Sequence, residues 1–323
     1  AWPHAGTDWA ARLESVESTY AALIAAITRF QPVLLCVADD AVRQRAANCL
    51  SHAGVVLDKV RMVLVDYDDT WLRDTGPITL LGNDGPVMLD FHFNAWGGKY
   101  DAGRDDRLIA GLFEQGVFGN ARRERVEFTL EGGSVETDGL GTLLTSRQCQ
   151  HCRHPGSSRA QISKKLTAIL RQDRVLWIDY GYLEGDDTDA HVDTLARFAS
   201  ADSLVYQACD DQNDAHFEEM RAMSVELASM RTADDKPYRL FALPWAREIM
   251  DGDRRLAASY ANFLIINGAV LVPGYDDPAD AKALEVIAQA FPDREIVQIP
   301  CKPLIWQNGS LHCLSMQLPQ GVM

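Results

Sequence analysis

Between Val175 and Asp193 a short apolar run passes straight into a loop crowded with acids, and this layout recurs along the chain. Val175–Ile178 reads as a buried strand. The loop beyond Leu183 then packs Asp186, Asp187, Asp189, His191 and Asp193 into eight residues. The same passage from apolar strand to polar loop occurs over Val60–Asp74, Val126–Gly133 and Ile296–Cys313. The four repeats are too unevenly spaced for a solenoid. In extended backbone, residues i and i+2 point the same way, so His191 and Asp193 present an imidazole and a carboxylate to one pocket. Thr194–Phe198 reads as the start of a helix, with Asp193 near its N-terminus.

Helical periodicity fills the spaces between the strands. Thr7–Ile27 carries Trp9, Leu13, Val16, Tyr20, Leu23 and Ile24 on one face, and further helices are expected over Ala41–Ala53, Arg107–Gln115, Ala160–Leu170, His216–Thr232 and Ala279–Phe291. Ile78–Leu81 and Val87–Phe93 read as a hairpin about Gly82-Asn83-Asp84-Gly85. Ser146–Ser158 reads as a polar loop. No linker or low-complexity segment marks a boundary, so the chain is expected to form one α/β domain over residues 1–323.

The 323 residues hold 46 Asp and Glu against 31 Lys and Arg, a net charge of -15. Such a polyanion is a poor partner for nucleic acid or an anionic membrane, and suits a small cation drawn to an acidic cleft. No apolar run approaches the roughly 18 residues of a membrane span. Seven scattered cysteines do not form a disulfide framework, which points to a cytoplasmic protein.

Cys313, in Asn308-Gly309-Ser310-Leu311-His312-Cys313, is the candidate nucleophile. A lone cysteine near a C-terminus is usually a small buried hydrophobe; its potential partners raise it above that. A cysteine hydrolase needs a thiolate, a base and groups that hold the substrate. His191 is the candidate base, and Asp74, Glu131 and Asp193 end their own strand–loop modules. Three carboxylates gathered near one thiol would oppose its ionisation unless a cation lay between them. That points to a guanidinium, whose planar fork of donors two carboxylates can grip bidentately.

Six blocks, DDTWLRDTGP, FNAWGGKY, EGGSVETDG, DTDAHVDTLARF, SYANFLIINGAVLVPGY and NGSLHC, together resemble the signature blocks of the agmatine deiminase family, which is related to the bacterial type of peptidyl-arginine deiminase. The resemblance runs from Trp2 to Gln317. It implies the guanidino-modifying fold, a propeller of five ββαβ modules about a pseudo-fivefold axis. It further implies Cys313 as nucleophile, His191 as general acid/base, Asp74 and Asp193 on the guanidinium nitrogens, Glu131 orienting His191, and Trp71 lining the pocket. Asp187 is a candidate for the amine tail of the substrate. The implied reaction converts agmatine to N-carbamoylputrescine and ammonia through an S-amidino thiouronium adduct, without metal or cofactor, with a homodimer as the family's expected assembly.

Two blocks depart from the family pattern. Gln307-Asn308-Gly309-Ser310 replaces a glycine-rich run, which bears on the fit to the amine tail, and Cys149–Pro155 replaces a lid-like loop. Rival substrates are peptidyl arginine, which needs an open cleft, and free arginine, which needs a cation for its carboxylate. A non-catalytic guanidine- or polyamine-binding protein is the alternative from another class. Cys149, His151, Cys152 and His154 fall within six residues and lack a second ligand pair at zinc-site spacing. His312 is expected to point away from the pocket and serve structure, and His52, His92 and His216 have no evident partners.

Overall fold

Apolar runs of five or six residues flanked by turns form strands, and each needs a partner to satisfy its backbone. The computed structural model describes residues 1–322, and there the recurring layout resolves into five sheets built by one rule. An antiparallel hairpin is followed by a helix, which carries the chain back to lay a third strand parallel to the second; parallel pairing requires such a crossover.

The first module has only the parallel pair, Val33–Val37 beside Val60–Leu64, joined through the helix Asp40–His52. The second pairs Ile78–Leu80 with Val87–His92 and then Arg122–Thr129, through Leu108–Glu114. The third pairs Val135–Thr137, Thr142–Ser146 and Arg174–Ile178, through Arg159–Leu170. The fourth pairs Ala196–Ser200, Ser203–Gln207 and Arg239–Leu243, through Phe217–Ser229. The fifth pairs Leu264–Ile266, Ala269–Gly274 and Glu295–Pro300, through Asp280–Ala290. Four of the five are complete ββαβ modules and the first is a βαβ unit, which fits the five-module arrangement implied by the family resemblance.

Local chemistry explains where the helices begin. The Asp39 carboxylate accepts the Val42 N–H, and Ser158 forms a capping box with Gln161. The Leu13–Thr28 helix packs Val16, Tyr20, Leu23 and Ile24 into the largest apolar cluster, which extends into the buried Ala269–Gly274 strand. Among the described residues no helix is long and apolar enough to cross a membrane.

Two local readings are corrected. Thr194–Phe198 does not start a helix: a single 3-10 turn, Val192–Thr194, leads into the strand Ala196–Ser200. Its run of Leu195, Ala196 and Phe198 fits either period, and pairing with Ser203–Gln207 decides for strand. That strand opens the fourth module; the strand-to-loop passage absent from the four read in the sequence is the one after its closing strand, Arg239–Leu243, which leads to Asn262. Ser146–Ser158 is also more than a loop. Ser146 caps a helix over Arg147–Arg153.

The modules place their chemistry by a shared rule. After each closing strand the chain crosses a loop, and a polar residue sits just short of the next hairpin. Asp74 lies before Ile78, Glu131 before Val135, Asp193 before Ala196 and Asn262 before Leu264; Cys313 follows the last closing strand.

Candidate active site

Cys313, His191, Asp74, Asp193 and Glu131 come from loops far apart in sequence and are gathered at one place, each at most 5% exposed. The Cys313 sulfur lies 3.7 Å from Asp193 Oδ2 and accepts the Asn262 Nδ2 amide at 3.2 Å. Asp74 is held by the Trp96 indole N–H, 2.9 Å from its Oδ2, and by the Gly133 backbone N–H, 3.0 Å from its Oδ1. His191 presents Nδ1 to Asp74 Oδ1 at 3.7 Å and Nε2 to Glu131 Oε2 at 3.6 Å.

Gly133 makes this crowding possible. A Cβ there would lie 2.6 Å from His191 Nδ1, 2.9 Å from Asp74 Oδ1 and 3.1 Å from Asp193 Oδ2. The two side chains of the H-x-D pair therefore converge beside Gly133 and Asp74. Nδ1 faces the side where Asp74 reaches the cleft, and Nε2 faces away from it.

The loop that delivers His191 is strained. Asp189 and Ala190 are both left-handed, with φ of 64°. Asp186 holds them by accepting the Thr188 and Ala190 N–H groups, and the Arg153 guanidinium binds Asp189 Oδ2 at 2.6 Å and the Thr188 carbonyl at 3.0 Å. Arg153 also binds Glu131 Oε1 at 2.6 Å. Thus one buried arginine fixes both the carboxylate beside His191 and the loop that carries it.

Electrostatics follow from burial. Desolvation raises the Asp74 carboxyl and pushes Asp193 up to about 7. The Cys313 thiol is held well above its ordinary value, first by burial and then by Asp193 and Asp74. Burial would lower His191, but Asp74, Cys149 and Glu131 outweigh it and hold the imidazole well above its usual range. Glu131 is lowered, since His191 and Arg153 together overcome its burial. Among the described atoms, both His191 ring nitrogens and Asp193 Oδ1 are buried without a hydrogen-bond partner.

A cleft of about 420 Å³ opens onto Cys313 and Asp74. Trp71, Trp96 and Tyr100 form its apolar wall, and Asp8, Asp69 and Asp187 carry its outer charge. Burial raises the Asp69 carboxyl to about 7. Asp187 sits at the mouth as expected, but it already pairs with Lys99 at 3.2 Å and accepts the Tyr100 hydroxyl at 2.5 Å. Trp71 lines the cleft against Gly309, where a Cβ would fall 2.5 Å from the indole ring.

Three participants escaped the sequence reading. His312 stays off the cleft, as expected, but its Nδ1 donates to Asp193 Oδ2 at 2.7 Å, and burial with Arg197 and Arg73 nearby keeps the ring neutral. Asn262 accepts the His312 N–H at 2.8 Å and the Cys313 N–H at 3.3 Å through its side-chain oxygen. Its position just before a hairpin strand, shared with Asp74 and Glu131, was the available signal. Arg153 lay in the supposed loop.

The four Cys and His residues of that segment do not converge. Cys149 is buried beside Glu131, Cys152 is exposed, and His154 stacks on Phe128 and bonds the Thr129 carbonyl.

Residues 1–319 match the sequence model of the Porphyromonas-type peptidyl-arginine deiminase family. The chain is 34% identical to an agmatine deiminase of Pseudomonas putida, covering 99% of this chain and 92% of that protein. Among solved structures, it superposes with a TM-score of 0.92 on a putative arginine deiminase from Porphyromonas gingivalis, at 44% identity, covering 99% of this chain and 94% of the other. It also superposes, with a TM-score of 0.88 and 32% identity, on a cysteine-to-serine agmatine deiminase of C. jejuni with substrate bound, covering 97% and 90%.

Proposed function

Because this chain belongs to the Porphyromonas-type peptidyl-arginine deiminase family, we propose that it hydrolyses a guanidino C–N bond, converting agmatine to N-carbamoylputrescine and ammonia as a single catalytic domain. The observation that carries the substrate assignment is the charge of the cleft. Asp8, Asp69, Asp74 and Asp187 line it, and no described lining residue is Lys or Arg. Agmatine is a dication with no carboxylate. Free arginine would bring its carboxylate against Asp8 and Asp69 with no lining cation to receive it.

A second reading, deimination of arginine or peptidyl arginine, is favoured by the higher identity to structures described as a putative peptidyl-arginine deiminase, 39%, and a putative arginine deiminase, 44%.

The geometry supports a two-step route. The guanidinium enters between Asp74 and Asp193, supplying the cation that their buried, raised carboxyls lack. One charge at about 4 Å is worth roughly 4 kcal/mol at an effective dielectric near 20, enough to shift thiol ionisation by units. The Cys313 thiolate attacks the guanidinium carbon. His191, an imidazolium held by Glu131 at Nε2, gives its Nδ1 proton to the departing amine, so ammonia leaves and a cationic S-amidino thiouronium remains.

Neutral Nδ1 then accepts a proton from water as its oxygen attacks the same carbon. Collapse expels the thiolate, and the proton left on the attacking oxygen passes to solvent, so the neutral ureido product is released and both groups are restored. The free cysteines support a reducing, cytoplasmic setting for this thiol.

The test is ammonia and ureido-product release from agmatine, free arginine and a blocked arginine peptide, with the wild type and with Cys313→Ala. Turnover of agmatine alone, abolished by the substitution, is expected. Turnover of the peptide alone would overturn the substrate assignment, and activity surviving in Cys313→Ala would overturn the nucleophile.

A further inference from the structure

We infer that Cys149, Glu131 and His191 form an inhibitory binding site for a thiophilic divalent cation, zinc above all, on the side of His191 away from the substrate. Three observations carry it. The donor atoms of these three residues all lie within 4.8 Å of one another, and all three residues are buried. His191 Nε2 is fully buried, has no hydrogen-bond partner, and faces Glu131 Oε2 at 3.6 Å. Cys149 Sγ faces that same oxygen at 3.8 Å.

The donor set and its spacing select the ion. Thiolate, imidazole and carboxylate together suit zinc, with bonds of about 2.0–2.3 Å, and a tetrahedron of that size has edges of about 3.3–3.6 Å. The two separations to Glu131 Oε2, 3.6 and 3.8 Å, need to contract by only a few tenths of an ångström, and the Cys149 and His191 donors lie within 4.8 Å of each other. Glu131 is already oriented, because Arg153 takes Oε1 and leaves Oε2 to the cluster. Zinc would displace to solvent both the thiol proton and the Nε2 proton of the imidazolium, and take one electron pair each from sulfur, nitrogen and oxygen. The fourth position would fall to water.

The consequence for turnover rests on the deiminase reading; the binding itself does not. A metal on Nε2 prevents His191 from becoming an imidazolium, so it can no longer protonate the leaving amine. The cleft, Asp74 and Cys313 stay open to substrate. Inhibition should therefore lower kcat and leave KM unchanged, whereas a metal held by Cys313 would compete with substrate.

The test titrates the full chain with zinc chloride alone, followed by calorimetry, in a Cys152→Ser background that removes the exposed thiol. Cys313→Ala should keep one zinc per chain. Cys149→Ser should lose at least tenfold in affinity while its circular dichroism and Tm stay those of the parent. X-ray absorption on zinc-loaded Cys152→Ser/Cys313→Ala should show one sulfur ligand among nitrogen and oxygen, a readout that survives if Cys149→Ser fails to fold. In turnover assays of the Cys152→Ser protein zinc should depress kcat at constant KM. Loss of binding in Cys313→Ala, a zinc shell without sulfur, or no binding by any variant would each overturn the site. Sound binding with no turnover of agmatine, arginine or the arginine peptide by the metal-free protein would instead overturn the deiminase reading and leave the site standing.

Discussion

His312 donates its Nδ1–H to Asp193 Oδ2 at 2.7 Å, and that same oxygen faces the Cys313 sulfur at 3.7 Å. A neutral imidazole thus restrains the carboxylate nearest the nucleophile. The imidazole next to Cys313 in sequence acts on its sulfur through Asp193, which makes His312 a positioning residue.

Removing it should loosen the grip on the guanidinium. A hydrogen bond to a charged group contributes about 1.5–3 kcal/mol. His312→Ala should accordingly lower kcat/KM by roughly 10- to 150-fold by that estimate, with a raised KM, and His312→Gln should recover part of the loss. Steady-state kinetics on both variants check this; an unchanged KM in His312→Ala would show that Asp193 is held without it.

The acid limb of kcat/KM should report Asp193. Its carboxyl, raised to about 7 by burial, is protonated below that value and cannot receive a cation. The kcat/KM of the wild type should therefore fall as pH drops through about 7. For stability the sign is the opposite: the folded state binds the proton more tightly than the unfolded chain, so ligand-free protein loses stability as pH rises from about 4 towards 7. A guanidinium ligand offsets that loss. Thermal shift of Cys313→Ala with agmatine should be larger at pH 8 than at pH 6, and an equal shift at both would remove Asp193 from the binding step.

Arg153 should matter to folding as well as turnover. Its side chain and that of Glu131 are each 1% exposed, and they meet at 2.6 Å. Arg153→Leu leaves the buried Glu131 carboxylate with only its longer contacts, His191 at 3.6 Å and the Cys149 thiol at 3.8 Å, a loss of up to about 3–5 kcal/mol. Adding Glu131→Gln should return part of the stability and none of the activity. Urea unfolding of the single and double variants decides it; additive losses would show that the pair is not coupled.

Gly133→Ala and Gly309→Ala should fail differently. The first puts a methyl 2.6 Å from His191 Nδ1, so the imidazole and both carboxylates must part, and kcat should fall at least 100-fold. The second presses a methyl into the Trp71 ring at 2.5 Å, narrowing the cleft wall, so KM should rise more than kcat falls. Parallel kinetics check the split.

Much of this was written in the chain itself. Apolar runs and helical periodicity located the crossover helices and every module strand except Val135–Thr137 and Ala196–Ser200 to within a few residues, because backbone hydrogen bonding and burial act over local windows. The polar residues ending those runs included Asp74, Glu131, His191 and Asp193, and a guanidinium followed from their charge. What local pattern could not settle was pairing. Leu195–Phe198 became a strand only because Ser203–Gln207 lay beside it, and the Arg147–Arg153 helix mattered only because it carried Arg153 to Glu131. The roles of His312, Asn262 and Arg153 were decided in the same way. Each is set by a contact across 22 to 119 positions, and side-chain direction at such range is a property of the closed ring of modules. Sequence fixed which groups were available; tertiary packing chose the two faces of His191, one towards the cleft and one towards Glu131 and Cys149.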